Sequence, residues 1–259
     1  MMQKLKDLYY YLLDIVTLKK GIQVPVNDYK IILPTGYHKY FPLYYELPNF
    51  LFFKKMCRPG MNIMDIGAHV GLYSVYMQKL SGGNVYGFEP TPSTVSVLRK
   101  TIALNKAETY IEVIEAAVSD TTGKARFKID RQPASVSNSL VEYNRTEKLE
   151  TCEVDVITID DFIAKRKIKI DFIKIDAEGA ELSVLRGAQN TLLDQRPLMI
   201  LALHPEAIAA RNESNEMIWY FLKSMNYSIL YDEKKISKRE FDDNNELFDV
   251  HLVPTELAD

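Results

Sequence analysis

The sequence predicts an α/β protein with a doubly wound, mostly parallel seven-stranded sheet that carries an antiparallel edge strand. A helical and stranded N-terminal appendage precedes it. Three observations predict this class. Short apolar runs alternate with longer stretches whose apolar residues recur at helical spacing. Four of the runs end on polar residues, at Asp65, Glu89, Asp176 and His204. The last two runs, 227–232 and 248–253, lie close together after the alternation stops, so they should pair antiparallel.

Composition fits this class. The 259 residues suit one α/β domain with a modest extension, and 47% hydrophobic residues supply a large core. A formal net charge of -3 gives no global basic field for nucleic acid. The two cysteines, Cys57 and Cys152, make no metal-ligand spacing, so two free thiols in a reducing cytoplasm are expected. No apolar run approaches the roughly 18 residues of a membrane span, and the N-terminus lacks a signal-peptide core.

Taken in order, residues 1–20 read as an amphipathic helix with Leu5, Leu8, Leu12, Ile15 and Val16 on one face, stopped by Gly21. It packs on the core or on a partner subunit, a homodimer among the options; Tyr9–Tyr11 and the flanking lysines also suit a membrane surface. Two short strands follow around Asn27-Asp28, then a helix over 43–57. We divide the chain into this appendage, 1–56, and a main domain, 57–259.

The main domain opens on a strand from Met61 to Ile66 and a helix from Val70 to Leu80, ended by Gly82-Gly83. Asn84–Phe88 is a second strand, and Thr91 caps a helix through Asn105. Ile111–Val118 is a third strand. Ala125–Ile129 and Thr151–Val156 pair as a local antiparallel excursion, and the polar segment 131–150 between them is the expected loop over the site. Thr158 caps a short helix, Phe172–Ile175 is a strand, Ala180–Leu193 a helix and Leu198–Leu203 a strand. A helix over Glu213–Met225 and the two final strands complete the pattern, with Asp242–Asn245 a solvated turn.

Chemistry concentrates where strands end. In an open α/β sheet, ligands bind outside the carboxyl ends of the strands. Asp65, Gly67 and Gly71 lie at the first such end, Glu89 at the second, Asp176 and Glu178 at the next, and His204 after that. The spacing D-x-G-x-x-x-G is not the dinucleotide fingerprint, and a carboxylate beside the first turn disfavours a pyrophosphate. Glu89 can accept both hydroxyls of a ribose. A nucleoside with a cationic sulfonium and an amino-acid tail, S-adenosylmethionine, meets these conditions. Glu181 reads as a favourable acid in the first turn of a helix, and Lys174 as a buried lysine paired with carboxylates.

Five blocks in order carry a family resemblance: Asp65-Ile66-Gly67-Ala68-His69-Val70-Gly71-Leu72-Tyr73, Phe88-Glu89-Pro90-Thr91-Pro92, Ala117-Val118-Ser119-Asp120 with Gly123, Thr158 to Phe162, and Phe172 to Glu181 continuing to Ala188. On these the chain resembles the FkbM-type methyltransferases, which use S-adenosylmethionine on a Rossmann-like sheet. The resemblance implies that Asp65, Gly67, Ala68, Gly71 and Tyr73 line the methionine side of the cofactor. It implies that Glu89, with Pro90, holds the ribose, that Ala117 and Val118 border the adenine, and that Asp176 lies beside the methyl group. Two positions depart from the family pattern: His69 stands where Asn is usual, and Ala202 where a Glu is usual near the strand end.

The resemblance implies O-methylation of a small-molecule or saccharide hydroxyl. His204 is the preferred base, with Asp176 and Glu178 as alternatives. No metal is assigned, although Asp176, Glu178 and His204 could converge on one. Competing readings are a non-catalytic cofactor- or glycan-binding module, methylation of RNA or protein, and an NAD-linked oxidoreductase.

Overall fold

The computed structural model describes residues 15–17, 20–42, 44–129 and 150–258. The helix expected over 1–20 and the loop expected over 131–150 therefore lie almost wholly outside the described residues.

A hairpin comes first, β1 (Ile22–Val26) with β2 (Tyr29–Leu33), turning through Asn27 in the left-handed region that Asn tolerates. Helix α1 (Leu47–Met56) follows with Pro48 in its first turn and buries Asn49, Phe50, Phe52 and Phe53. The main chain then runs β3 (Ile63–Ile66), α2 (Leu72–Ser81), β4 (Val85–Phe88), α3 (Pro92–Leu104) and β5 (Ile111–Ile114). A small second sheet, β6 (Ala117–Val118), β7 (Gly123–Ile129) and β8 (Glu150–Ile157), stands beside it in the order β6-β8-β7. Next come α4 (Ile159–Arg166), β9 (Phe172–Ile175), α5 (Glu181–Arg186), α6 (Gln189–Asp194) and β10 (Leu198–Leu203). Helices α7 (Pro205–Ala210) and α8 (Asn215–Ser224), strands β11 (Tyr227–Tyr231) and β12 (Lys234–Lys235), α9 (Lys238–Asp242) and β13 (Phe248–Pro254) close the chain.

The large sheet has the order β12-β11-β13-β10-β9-β3-β4-β5. The seven expected strands are all in it, and the two-residue β12 adds an eighth. From β3 the chain moves outward through β4 to β5, then returns to the opposite side of β3 for β9 and β10, all parallel. The direction of winding reverses between β3 and β9, and their carboxyl ends therefore flank an open crevice. Apolar side chains cover both faces of the sheet. Leu182, Leu185, Ala188, Leu192 and Leu222 pack on one face. Ile31, Leu33, Phe50, Phe53 and Tyr76 pack on the other, so the hairpin and α1 share a core with the sheet.

Several expectations are corrected. The reversed strand, β13, is not at the edge; it pairs antiparallel with β10 on one side and β11 on the other. Its side chains are buried along nearly its whole length, whereas β11 ends half-buried and exposed, so β13 gains more from the interior position. The strand expected over 111–118 breaks at Glu115, where Ala116 N–H donates back to Ile114 O (2.9 Å) and the next two residues join the second sheet. The helix expected over 180–193 divides at Gly187. A Cβ there would lie 2.0 Å from Ser119 O, and Asp160 accepts from Asn190 N–H and Thr191 N–H (both 2.9 Å) to start a second helix. Thr158 caps α4 through Asp161 N–H (2.9 Å), but the Thr91 side chain does not cap α3. The turn expected over 242–245 is preceded by α9, which Ser237 and Glu240 start as a reciprocal capping box.

Candidate active site

A cleft opens at the carboxyl ends of β3, β4 and β9. Gly67, Ala68, Tyr73, Glu89, Pro90, Ala117, Val118, Asp176 and Glu178 line it, as the sequence leads one to expect. The fold brings Phe41 and Tyr45 from the N-terminal segment, Thr94 from α3, Phe127 from β7 and Lys174 from β9 to the same wall. Neither the aromatic residues nor Thr94 stands out in the sequence, because only the tertiary approach of the N-terminal segment, α3 and the second sheet gives them this place.

Three predicted residues, Asp65, Gly71 and His204, are not on the wall. Asp65 is fully buried beneath it. Its register places it beside Lys174 of β9 and Gly87 of β4. Ser74 Oγ–H donates to its Oδ2 (2.5 Å), and Lys174 Nζ stands 3.9 Å from its Oδ1. Burial raises the Asp65 carboxyl above its usual range, against the pull of Lys174 and Ser74. Asp65 therefore braces the strand end from beneath the cleft wall. Gly71 faces α3: a Cβ there would lie 2.6 Å from Leu98 Cδ1. Gly67 does line the cleft, but its lack of a side chain answers to the protein, since a Cβ would meet Asp176 O at 2.1 Å and φ is +76°.

Lys174 ties the floor together. Its Nζ donates to Asp176 Oδ2 (3.1 Å) and to Gly67 O (3.4 Å) and lies over the Tyr73 ring. Burial alone would raise the Asp176 carboxyl, but Lys174, followed by His204, holds it below the usual range. Tyr73 stacks on Phe50 with ring centroids 4.3 Å apart, and its hydroxyl donates to Glu46 Oε2 (2.6 Å).

Glu89 is buried at the end of β4, with Oε1 accepting from Thr91 N–H (2.9 Å) and Oε2 from His69 N–H (3.1 Å). Burial pushes its carboxyl up to about 7, although those backbone bonds favour the charged form. His69 sits at φ 48°, a left-handed conformation that Asn adopts more readily than most residues. The turn thus survives the exchange of Asn for His, with the hydrogen bond to Glu89 made by the backbone.

His204 lies behind Asp176 instead of on the cleft wall. Its Nε2 is 3.6 Å from Asp176 Oδ1, and its Nδ1 is 2.8 Å from Glu181 Oε1. A carboxylate only accepts, so Nδ1 carries a proton. Glu181 is wholly buried, and Gly179 N–H also donates to its Oε1 (2.9 Å). Burial would lower the imidazole, but the Glu181 bond and charge, with Asp176 and Glu178, push it up to about 9. Glu178 enters this turn at φ 45° and Gly179 at φ 102°, folding the chain back so that Glu181 reaches His204. Glu181 is the residue whose part the sequence conceals: an acid in a helix's first turn is ordinary, and only its burial against His204 sets it apart.

Among the described residues, no group of three or more His, Cys, Asp or Glu side chains is arranged to hold a metal ion. None of their helices is long and apolar enough to cross a membrane. Cys57 and Cys152 are both free.

The cleft sits at the winding reversal, with a carboxylate on each side and no pyrophosphate fingerprint, as in a Rossmann-like, S-adenosylmethionine-dependent methyltransferase. The Methyltransferase FkbM domain pattern matches residues 65–229, and the chain belongs to that family. Methyltransferase sdnD of Sordaria araneosa is 28% identical, over 49% of this chain and 60% of its own. The 31-O-demethyl-FK506 methyltransferase FkbM of Streptomyces tacrolimicus is 27% identical, over 51% of this chain and 61% of its own. The hexuronic acid methyltransferase AglP of Haloferax volcanii is 26% identical, over 50% and 51% respectively. The chain thus spans about three-fifths or less of the length of each of these relatives.

The cofactor of this class is S-adenosylmethionine, and the residues present fit it. Phe88, Val118 and Phe127 give the cleft that Glu89 lines an apolar surface. Thr94 Oγ1 is buried on the same wall without a hydrogen-bond partner among the described residues. The carboxylates of Glu89 and Asp176 suit a ligand with hydroxyls at one end and positive charge at the other.

Proposed function

We propose that the chain is an S-adenosylmethionine-dependent O-methyltransferase acting on a hydroxyl of a small-molecule or saccharide acceptor. One observation carries the reading: an imidazole whose Nδ1–H is held by a buried carboxylate has its Nε2 turned toward Asp176 at the cleft. A hydroxyl is a poor nucleophile until its proton leaves, and a positioned imidazole is the side chain suited to take it. Two relatives bear the names of methyltransferases for a demethylated FK506 oxygen and for a hexuronic acid, both hydroxylated acceptors.

In this reading Glu89 accepts the ribose hydroxyls, Ala117 and Val118 flank the adenine with Phe127, and Gly67, Ala68 and Tyr73 border the methionine end. Bound there, the cofactor supplies an electrophilic methyl group. Asp176, kept ionised by Lys174, faces that end and offers negative charge to it. Once the imidazole has lost its own proton, as pH rises through about 9, His204 can accept the acceptor's proton at Nε2. We further propose that residues 1–56 act as an appendage that walls the acceptor side through Phe41 and Tyr45. A cytoplasmic setting suits the two free thiols.

Calorimetric binding of S-adenosylmethionine to wild type and Glu89→Ala tests the cofactor assignment. Hydrogen bonds to a charged group are worth roughly 1.5–3 kcal/mol each, so affinity should fall at least about tenfold. Equal affinity would remove the ribose role. Transfer of a labelled methyl group to a panel of sugars and hydroxylated small molecules tests the reaction. Tight cofactor binding with no transfer to any of them would favour a non-catalytic binding module.

A further inference from the structure

We infer that Glu181 is a positioning residue of this site: its buried carboxylate fixes the His204 imidazole through Nδ1 and thereby leaves Nε2 as the proton acceptor. The inference rests on the O-methyl reading for its chemical purpose, and on geometry alone for the contact.

As an ordinary first-turn acid, Glu181 would stay in water and answer a helix dipole. Its helix has six residues and the side chain is 0% exposed, so neither condition holds. Taking a carboxylate out of water costs several kcal/mol unless a cation and hydrogen bonds offset it. Two groups do so here, Gly179 N–H and His204 Nδ1–H, and both reach the same oxygen, Oε1. Oε2 has no partner among the described residues. All the hydrogen bonding given to this carboxylate is therefore spent on one turn and one imidazole.

The turn and the imidazole belong to the site. Gly179 closes the Asp176-Ala177-Glu178-Gly179 turn that lines the cleft, and His204 directly follows β10, the next strand. Glu181 thus locks the two strand ends together on the side away from β3. The charged groups facing His204 are Glu181, Asp176 and Glu178, with Lys174 held on the far oxygen of Asp176. With Nδ1–H committed to Glu181, the neutral imidazole has its lone pair at Nε2, on the side that faces Asp176. Without Glu181, either nitrogen could carry the proton, and the ring would be free to turn.

The test uses Glu181→Gln and Glu181→Ala in the full chain. A Gln amide oxygen can accept from both Gly179 and His204, so the first variant keeps the geometry and removes the charge. The imidazole of His204 is followed by nitrogen-detected NMR titration in cofactor-free protein, which needs no acceptor. The midpoint should fall by at least one pH unit in Glu181→Gln with the Nδ1–H form retained, and Glu181→Ala should shift the neutral ring toward the Nε2–H form. With an acceptor in hand, kcat should fall at least about tenfold in Glu181→Ala, with KM for S-adenosylmethionine unchanged. The alkaline rise of kcat should move to lower pH in Glu181→Gln. An unchanged titration and tautomer in Glu181→Ala would overturn the inference, as would an unchanged kcat. Altered NMR behaviour in a protein that methylates no hydroxyl would uphold the positioning of the imidazole and overturn the O-methyl reading instead.

Discussion

The stability of the cofactor-free protein should carry the signature of the His204–Glu181 pair. The imidazole is held at about 9 in the folded chain, against an ordinary 6.5. At about 1.4 kcal/mol per pH unit, that difference is worth about 3 kcal/mol. His204 is only 21% exposed, so solvent screening removes little of it. The folded state binds this proton more tightly than the unfolded chain. The contribution is therefore complete below pH 6.5 and is lost as pH rises through about 9. The proper reference is the double variant His204→Gln/Glu181→Gln, because Glu181 left alone in the interior would itself titrate. Urea unfolding of both proteins at pH 6 and pH 10 cancels the groups they share. Wild type should lose about 3 kcal/mol of its advantage over the double variant between those pH values. A difference that changes by less than about 1 kcal/mol would mean that the imidazole is not held charged by Glu181, and the reasoning would fail.

Gly67→Ala should lower stability by about 3 kcal/mol or more, since the new Cβ meets Asp176 O at a left-handed φ; Gly123→Ala, where a Cβ meets nothing, should leave the melting temperature nearly unchanged. Asn49→Ala should cost about 2 kcal/mol in urea, because Asn49 donates to Asp249 Oδ2 (2.8 Å) and accepts from His251 Nε2 (2.9 Å). That loss should be larger at pH 8 than at pH 5: burial raises Asp249 to about 6, and Asn49 stabilises its ionised form. Thr94→Val should weaken S-adenosylmethionine binding about threefold to tenfold in calorimetry with an unaltered melting temperature, since Oγ1 has no partner among the described residues to lose.

Particular residues show how far the sequence could be read. Glu89 and Asp176 follow short apolar strands, and the alternation with helices puts such ends on one edge, so their place on the cleft was legible. Asp65 was legible as a strand end but not as a buried one. Its fate depends on Lys174 in the neighbouring strand, 109 positions away, and on Ser74 in the next helix. The glycines carried the same ambiguity. Gly67 and Gly71 were expected to line the cofactor, but the atoms that forbid a side chain there, Asp176 O and Leu98 Cδ1, come from other elements of the protein.

By itself the sequence determined the class of sheet, the family and the strand ends from which a site would be built. Those features follow from local periodicity and from motifs whose residues are neighbours in the chain. Tertiary structure alone decided the seating of β13 inside the sheet, the aromatic wall supplied by Phe41, Tyr45 and Phe127, and the union of Glu181 with His204. Each of these depends on burial and on the approach of residues distant in sequence. A carboxylate in a helix's first turn reads the same whether water or an imidazole faces it, and only the packed structure removes the water.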